Sequence, residues 1–155
     1  MKDRRGEPIT ILMADDDPDD RMLAQEALEE NRLANCLRFV EDGEELMDYL
    51  YQQGKYQETS TAPRPGLILL DLNMPRKDGR EALKEIKADP NLRRIPVIVL
   101  TTSKAEEDIL RTYDLGANSY IHKPVDFDRF TQAVEQLGLY WLLLNELPPK
   151  EGTLG

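Results

Sequence analysis

Residues 9–20 read Ile-Thr-Ile-Leu-Met-Ala-Asp-Asp-Asp-Pro-Asp-Asp, an apolar run that stops abruptly on three acids and a proline. A run apolar on consecutive positions, rather than alternate ones, belongs to a strand covered on both faces, as in a parallel sheet. Three similar runs follow, Cys36–Val40, Leu67–Leu70 ending at Asp71, and Ile95–Leu100, and Ser119–His122 reads as a fifth strand. Pro96 stands near the start of its run, where a strand tolerates a missing donor. Helical patterns fill the gaps. From Asp19, Leu23, Ala24, Ala27 and Leu28 recur at helical spacing, and from Gly43 to about Gln53, Leu46, Met47 and Leu50 share a face. Asp78–Ala88 stops at Asp89-Pro90, Lys104–Asp114 is closed by Gly116, and a last helix begins at Asp126. The alternation predicts a five-stranded, doubly wound α/β domain built from five βα units. In such sheets ligands bind at the carboxyl ends of the strands, near the switch point in strand order.

The length agrees. At 155 residues one domain is expected, spanning 1–155, with a core at about 9–137 and a helical extension at about 138–150. About 18 residues follow Leu137, so no output domain is expected. A composition of 40% apolar and 32% charged residues is that of an ordinary globular chain. With 20 Lys+Arg against 30 Asp+Glu the net charge is −10, which argues against a nucleic-acid partner. The lone Cys36 cannot form an internal disulfide and reads as a small buried apolar residue in a reducing compartment. The first eight residues, MKDRRGEP, contain no apolar core of a signal peptide. Leu139–Leu144, the longest apolar run, has six residues where a membrane span needs roughly 18. A cytoplasmic protein without membrane association is expected. The stretch Gln52–Gly66, polar and holding two prolines and two glycines, reads as an extended surface loop.

The strand ends carry the chemistry. The first run ends at Asp15 and Asp16, the third at Asp71, the fourth at Thr101 and Thr102, and the fifth at Lys123-Pro124. Three carboxylates gathered at one edge repel one another, and such oxygen-rich clusters hold Mg²⁺. Three carboxylates, one Mg²⁺ and Lys123 sum to zero charge. An aspartate in that setting can attack a phosphoryl group, while metal and ammonium offset charge on the transferring oxygens. A threonine hydroxyl nearby can donate to the new phosphoryl oxygens.

The set Ala14-Asp15-Asp16-Asp17, Leu69-Leu70-Asp71-Leu72-Asn73-Met74-Pro75 with Asp78-Gly79, Val99-Leu100-Thr101-Thr102 and His122-Lys123-Pro124 resembles the receiver domain of two-component response regulators. The resemblance covers about Ile9 to Leu137. It implies a flavodoxin-like sheet, Asp71 as phosphoacceptor, and Mg²⁺ held by Asp15, Asp16, Asp71 and the backbone carbonyl of Asn73. It also implies Thr101 and Lys123 as phosphoryl contacts, Tyr120 as the aromatic that reorients with Thr101, and Asn73 and Ser103 as influences on dephosphorylation. Such a protein is a signalling module rather than an enzyme, catalysing only its own phosphorylation and dephosphorylation. The long loop before the third strand and the tail from Tyr140 to Pro149 resemble stand-alone response regulators paired with cyanobacterial phytochromes. That finer resemblance implies a light-sensing histidine kinase as partner. It also implies a homodimer through the fourth helix, fifth strand and last helix.

Other readings stand beside these. Asp17, Asp19 and Asp20 read as a solvated helix start. His122, the only histidine, reads as a packed or surface residue. Arg76, Lys77, Arg80, Lys84 and Lys87 read as a solvated face mixed with acids. Phe127, Phe130, Val134, Leu137, Trp141 and Leu144 form one helical stripe, which Leu139, Tyr140, Leu142 and Leu143 surround with further apolar surface. Tyr140, Trp141, Leu143 and Leu144 are therefore dimer candidates, with folding over their own domain as the other reading. Gly138 either weakens a continuous helix or terminates it. The enzyme alternative is a haloacid-dehalogenase-like phosphatase using Asp15 and Asp17, although Pro18 follows directly and Asp71 would be left unexplained. A flavodoxin-type flavin module lacks its phosphate loop after the first strand.

Overall fold

In the computed structural model the described residues are 9–30, 36–58, 62–72, 74, 77–102, 116–123 and 127–139. Five parallel strands form one sheet: β1 (Thr10–Ala14), β2 (Cys36–Val40), β3 (Leu67–Asp71), β4 (Val97–Thr101) and β5 (Ser119–His122). Their order is β2-β1-β3-β4-β5, so the winding reverses between β1 and β3. The described helices are α1 (Pro18–Glu30), α2 (Gly43–Tyr51), α3 (Gly79–Ala88) and α4 (Phe127–Gln136), with a 3-10 turn at Gly54–Tyr56. The helix expected over Lys104–Asp114 lies outside the described residues.

The consecutive apolar runs do what their pattern requires. Leu12, Ala14, Ile68, Leu70, Val97 and Val99 point to one face, where they pack with Leu46 and Met47 of α2 and Leu83 and Ile86 of α3. Ile11, Met13, Leu67, Leu69, Ile98 and Leu100 point to the other, against Ala24 and Leu28 of α1 and Phe130 and Val134 of α4. Because side chains alternate along a strand, each strand feeds both layers. Each fully buried Leu, Ile or Phe contributes roughly 1.5–3 kcal/mol, so the two layers together hold the sheet between its helices.

Helix starts are set by side chains. Asp17 accepts from the Asp19 N–H at 2.8 Å and Pro18 supplies the first helical residue of α1. Asp42 accepts from Glu45 N and Asp78 from Arg80 N at the starts of α2 and α3. The buried stripe of α1 differs from expectation. Ala24 and Leu28 are buried and Ala27 half-buried, but Leu23 is 42% exposed, because it falls on the neighbouring ridge.

The last helix is shorter than a continuous apolar stripe predicts. At its end Gly138 has φ +71° and donates to the Glu135 carbonyl, while Leu139 donates to the Val134 carbonyl at 2.9 Å. That is a Schellman stop, and Leu139 is buried in the layer that contains Val134. Gly138 is thus a terminator, and Leu139 belongs to the core rather than to an exposed patch. Tyr140, Trp141, Leu143 and Leu144 lie outside the described residues.

The stretch 52–66, expected as an extended loop, is tethered where it is described. Tyr49 Oη donates to the Pro63 carbonyl at 2.8 Å, Tyr56 Oη to Glu45 Oε2 at 2.6 Å, and Gln52 Nε2 to the Ala62 carbonyl at 3.2 Å. The rings of Tyr49 and Tyr56 meet edge to face at 5.1 Å.

Candidate phosphoryl-acceptor site

Strand register brings the charged ends to one level. Ala14 pairs with Leu70, which sets Asp15 beside Asp71, and Asp71 pairs with Leu100, one residue before Thr101. Thr101 pairs with His122, and the Lys123 N–H donates to the Thr101 carbonyl at 2.8 Å. The site therefore sits over β1 and β3, where the winding reverses. Asp15, Asp71 and Thr101 are buried, at 0%, 4% and 1% exposure, whereas Asp16 is exposed.

Lys123 is the centre of the cluster. Its Nζ lies 3.1 Å from Asp15 Oδ2, 3.1 Å from Asp71 Oδ2 and 2.8 Å from Asp20 Oδ2. It donates hydrogen bonds to Asp20 and Asp71 and forms an ion pair with Asp15. Burial pulls the Lys123 pKa down, but the Asp20 hydrogen bond and the charges of Asp71 and Asp15 outweigh it, and the net displacement is upward. The ammonium stays charged.

Asp15 is the strained partner. Burial pushes its pKa up from 3.8 to about 6, against the lowering effect of the Asp17 N–H and of Lys123, with Asp71 raising it further. Its Oδ1 accepts from the Asp17 N–H at 2.9 Å, while among the described residues its buried Oδ2 has the Lys123 ammonium beside it at 3.1 Å. Carboxylate oxygens of Asp15, Asp16 and Asp71 lie within 4.8 Å of one another. A buried carboxylate beside two more, with a single ammonium among them, fits a hard divalent cation that prefers oxygen ligands. Arg21 adds a backbone clamp, its Nη1 donating to the Asp15 carbonyl at 2.8 Å.

Two close approaches hold the end of β3 and the segment that follows it. The Gly79 N–H donates to the Leu72 carbonyl at 3.1 Å, and the Gly43 N–H donates to the Lys77 carbonyl at 3.1 Å. A Cβ on Gly43 would overlap that Lys77 oxygen. Only a residue without a side chain lets α2 rest there on the segment joining β3 to α3.

Of the residues singled out by sequence, Asp15, Asp16, Asp71, Thr101 and Lys123 converge on this one edge. Tyr120 is half-buried on β5 and packs against the layer containing Val97 and Val99. Asn73 and Ser103 lie outside the described residues. Asp17 and Asp19 are exposed, as a solvated helix start requires, and the Asp17 carboxylate caps α1 rather than facing Asp15 as a general acid. Nothing here favours the phosphatase alternative. Asp20 corrects the reading of its acidic run: it turns inward to Lys123, with its side chain 19% exposed. Its signal is helical spacing, since Asp20, Ala24 and Leu28 share one face of α1 and the latter two are buried.

Comparison with known proteins agrees with this geometry. The family model for the response regulator receiver domain matches residues 11–135. Response regulator Rcp1 of Synechocystis sp. is 43% identical over 148 residues, 96% of this chain and 99% of that protein. The crystal structure of its Mn²⁺-bound form superposes with a TM-score of 0.72, covering 92% of this chain and 100% of that one. The bacteriophytochrome response regulator AtBRR, 42% identical, gives a TM-score of 0.80 over 87% of this chain and 96% of that one. The phosphorylated cyanobacterial phytochrome response regulator RcpA, 46% identical, gives 0.72 over 92% of this chain and 99% of that one.

Proposed function

The chain belongs to the response regulator receiver domain family, and we propose that it accepts a phosphoryl group on Asp71 from a sensor histidine kinase. The observation that carries this reading is the Lys123 ammonium, 3.1 Å from both Asp71 Oδ2 and Asp15 Oδ2 at the carboxyl edge of the sheet. A carboxylate oxygen of Asp71 attacks phosphorus, the O–P bond forms, the P–N bond to the donor imidazole breaks, and the imidazole leaves. Lys123 offsets charge on the phosphoryl oxygens, and the Thr101 hydroxyl, one strand over, donates to them. The Asp15, Asp16 and Asp71 carboxylates and the Asn73 carbonyl would hold Mg²⁺, which supplies charge neutralisation at the transferring oxygens. The Mn²⁺-bound form of Rcp1 supports a divalent cation as the cofactor class.

Asn73 and Ser103 tune the loss of the phosphoryl group, and Tyr120 follows Thr101 toward it. Output passes through the surface of β5, α4 and the segment 104–114, to a second copy of the chain or another protein and not to nucleic acid. Tyr140, Trp141, Leu143 and Leu144 contribute to the homodimer. The cognate kinase is a phytochrome, a reading supported by the similarity to RcpA and AtBRR, and the pair works in the cytoplasm. The test is incubation with a small phosphodonor and Mg²⁺, followed by intact-mass measurement. One added phosphoryl group is expected in the wild type and none in Asp71→Asn; equal labelling of both removes Asp71 as the acceptor. Phosphotransfer from a panel of histidine kinases then identifies the donor, and size exclusion of Trp141→Ala, expected to show more monomer, checks the dimer.

A further inference from the structure

Among the described residues three carboxylates converge on Lys123, and the one nearest to it is neither a candidate metal ligand nor the proposed acceptor. Asp20 Oδ2 accepts from Lys123 Nζ at 2.8 Å, against 3.1 Å for each of Asp15 and Asp71. The two residues are 103 positions apart, and their side chains are 19% and 13% exposed. A first-turn aspartate is favoured at a helix N-terminus whichever way it points, so the dipole of α1 does not explain its inward direction. A flexible four-carbon stem does not fix the direction of an ammonium; its acceptors do. Asp20 and Asp71 accept its hydrogen bonds, one from α1 and one from β3, and together they hold the group between those elements beside Asp15.

Charge sharpens the point. Asp15, Asp16, Asp20 and Asp71 total −4, and Lys123 brings the cluster to −3. A divalent cation leaves it at −1, not at zero. An extra acid that only added repulsion would hinder an anionic donor, so the compensating contribution of Asp20 has to be sought in the contact it makes.

We propose that Asp20 is a positioning residue of the phosphorylation site, aiming the Lys123 ammonium at Asp71 and at the phosphoryl oxygens it receives. This inference rests on Asp71 being the acceptor. It concerns the rate of transfer rather than donor binding, because the contact acts on oxygens that gain charge during transfer.

The experiment measures phosphorylation by a small phosphodonor at saturating Mg²⁺ for the wild type, D20A, D20N, K123Q and D20A/K123Q. D20A is expected to lower the maximal rate about fivefold to tenfold while shifting the half-saturating donor concentration less than twofold. D20N, whose amide oxygen can accept the same hydrogen bond, recovers at least half of the loss. In the K123Q background D20A has no further effect. A second readout needs neither metal nor donor: the Lys123 ammonium gives a slowed ¹H–¹⁵N cross-peak that D20A loses and D20N keeps. An unchanged rate in D20A, or effects that multiply in the double variant, overturns the proposal. If D20A does not fold by circular dichroism, D20N and the cross-peak decide it: a wild-type metal-free protein without the peak overturns it too. Failure of the wild type to take up any phosphoryl group instead removes the receiver reading on which the proposal stands.

Discussion

Gly79 presses on Asp71: a Cβ at Gly79 would lie 2.5 Å from the Asp71 carbonyl oxygen and 2.7 Å from Leu72 Cα. The start of α3 is thereby seated on the end of the strand that carries Asp71, and neither backbone can retreat without opening the core behind Leu70 and Leu83.

Gly79→Ala is therefore expected to cost about 2–3 kcal/mol, read as a lower urea midpoint, and to slow phosphoryl uptake by shifting Asp71. Gly138→Ala is the control. It meets nothing within 4 Å but has φ +71°, so it should cost about 1 kcal/mol and leave uptake unchanged. Equal costs at the two positions would contradict the close approach at Gly79.

The raised pKa of Asp15 fixes the sign of a pH effect in the metal-free protein. The folded value of about 6 lies above the ordinary 3.8, so the folded state binds the proton more tightly. Below about pH 4 both states are protonated and no penalty exists; it appears as pH rises and is complete above about 6. Asp15→Asn removes it. The stability of that variant relative to wild type should improve by roughly 2–3 kcal/mol between pH 4 and pH 7. A difference that stays flat across that window would show that the buried charge is not penalised.

Divalent cations should relieve the same penalty. At about one hundred times its dissociation constant, Mg²⁺ is expected to add about 2.7 kcal/mol, seen as a rise in Tm. Asp16 is exposed. Asp16→Asn should therefore leave the metal-free Tm nearly unchanged while abolishing most of the cation-induced rise. A full rise in the variant would take Asp16 out of the cation site.

Tyr56→Phe deletes the hydroxyl that donates to Glu45 Oε2 at 2.6 Å, and Tyr49→Phe the one that donates to the Pro63 carbonyl at 2.8 Å. Each should cost about 1 kcal/mol. Both should make residues 52–66 quicker to be cut in limited proteolysis, with phosphorylation unaffected. Unchanged cutting would mean the two hydroxyls do not hold the loop.

The sheet and most of the site were legible because both follow from local pattern. Apolar runs on consecutive residues can be buried only between two helical layers, and the acids, threonine and lysine that end those runs must share one edge. What resisted reading depended on direction or on a competing local choice. Asp20 lies in a run of acids that suits a solvated helix start, and only its four-residue spacing from buried Ala24 marks it as inward. Leu23 suits a buried stripe equally well, yet stands one ridge aside. At Gly138 the apolar spacing favoured continuation, and the left-handed backbone that ends the helix is a choice glycine leaves open. The polar stretch 52–66 conceals its anchors, since Tyr49 sits in the preceding helix.

The stop at Gly138 also determines how motion can leave the domain. Leu139 is plugged into the layer that holds Ile98, Leu100 and Ile121, so the backbone at the Gly138 stop is fixed relative to β4 and β5. The end of α4 is thus a stiff joint between helix and sheet rather than a fraying terminus. A small shift of those two strands would be carried to the last turn of α4, with little lost to slack at the contact.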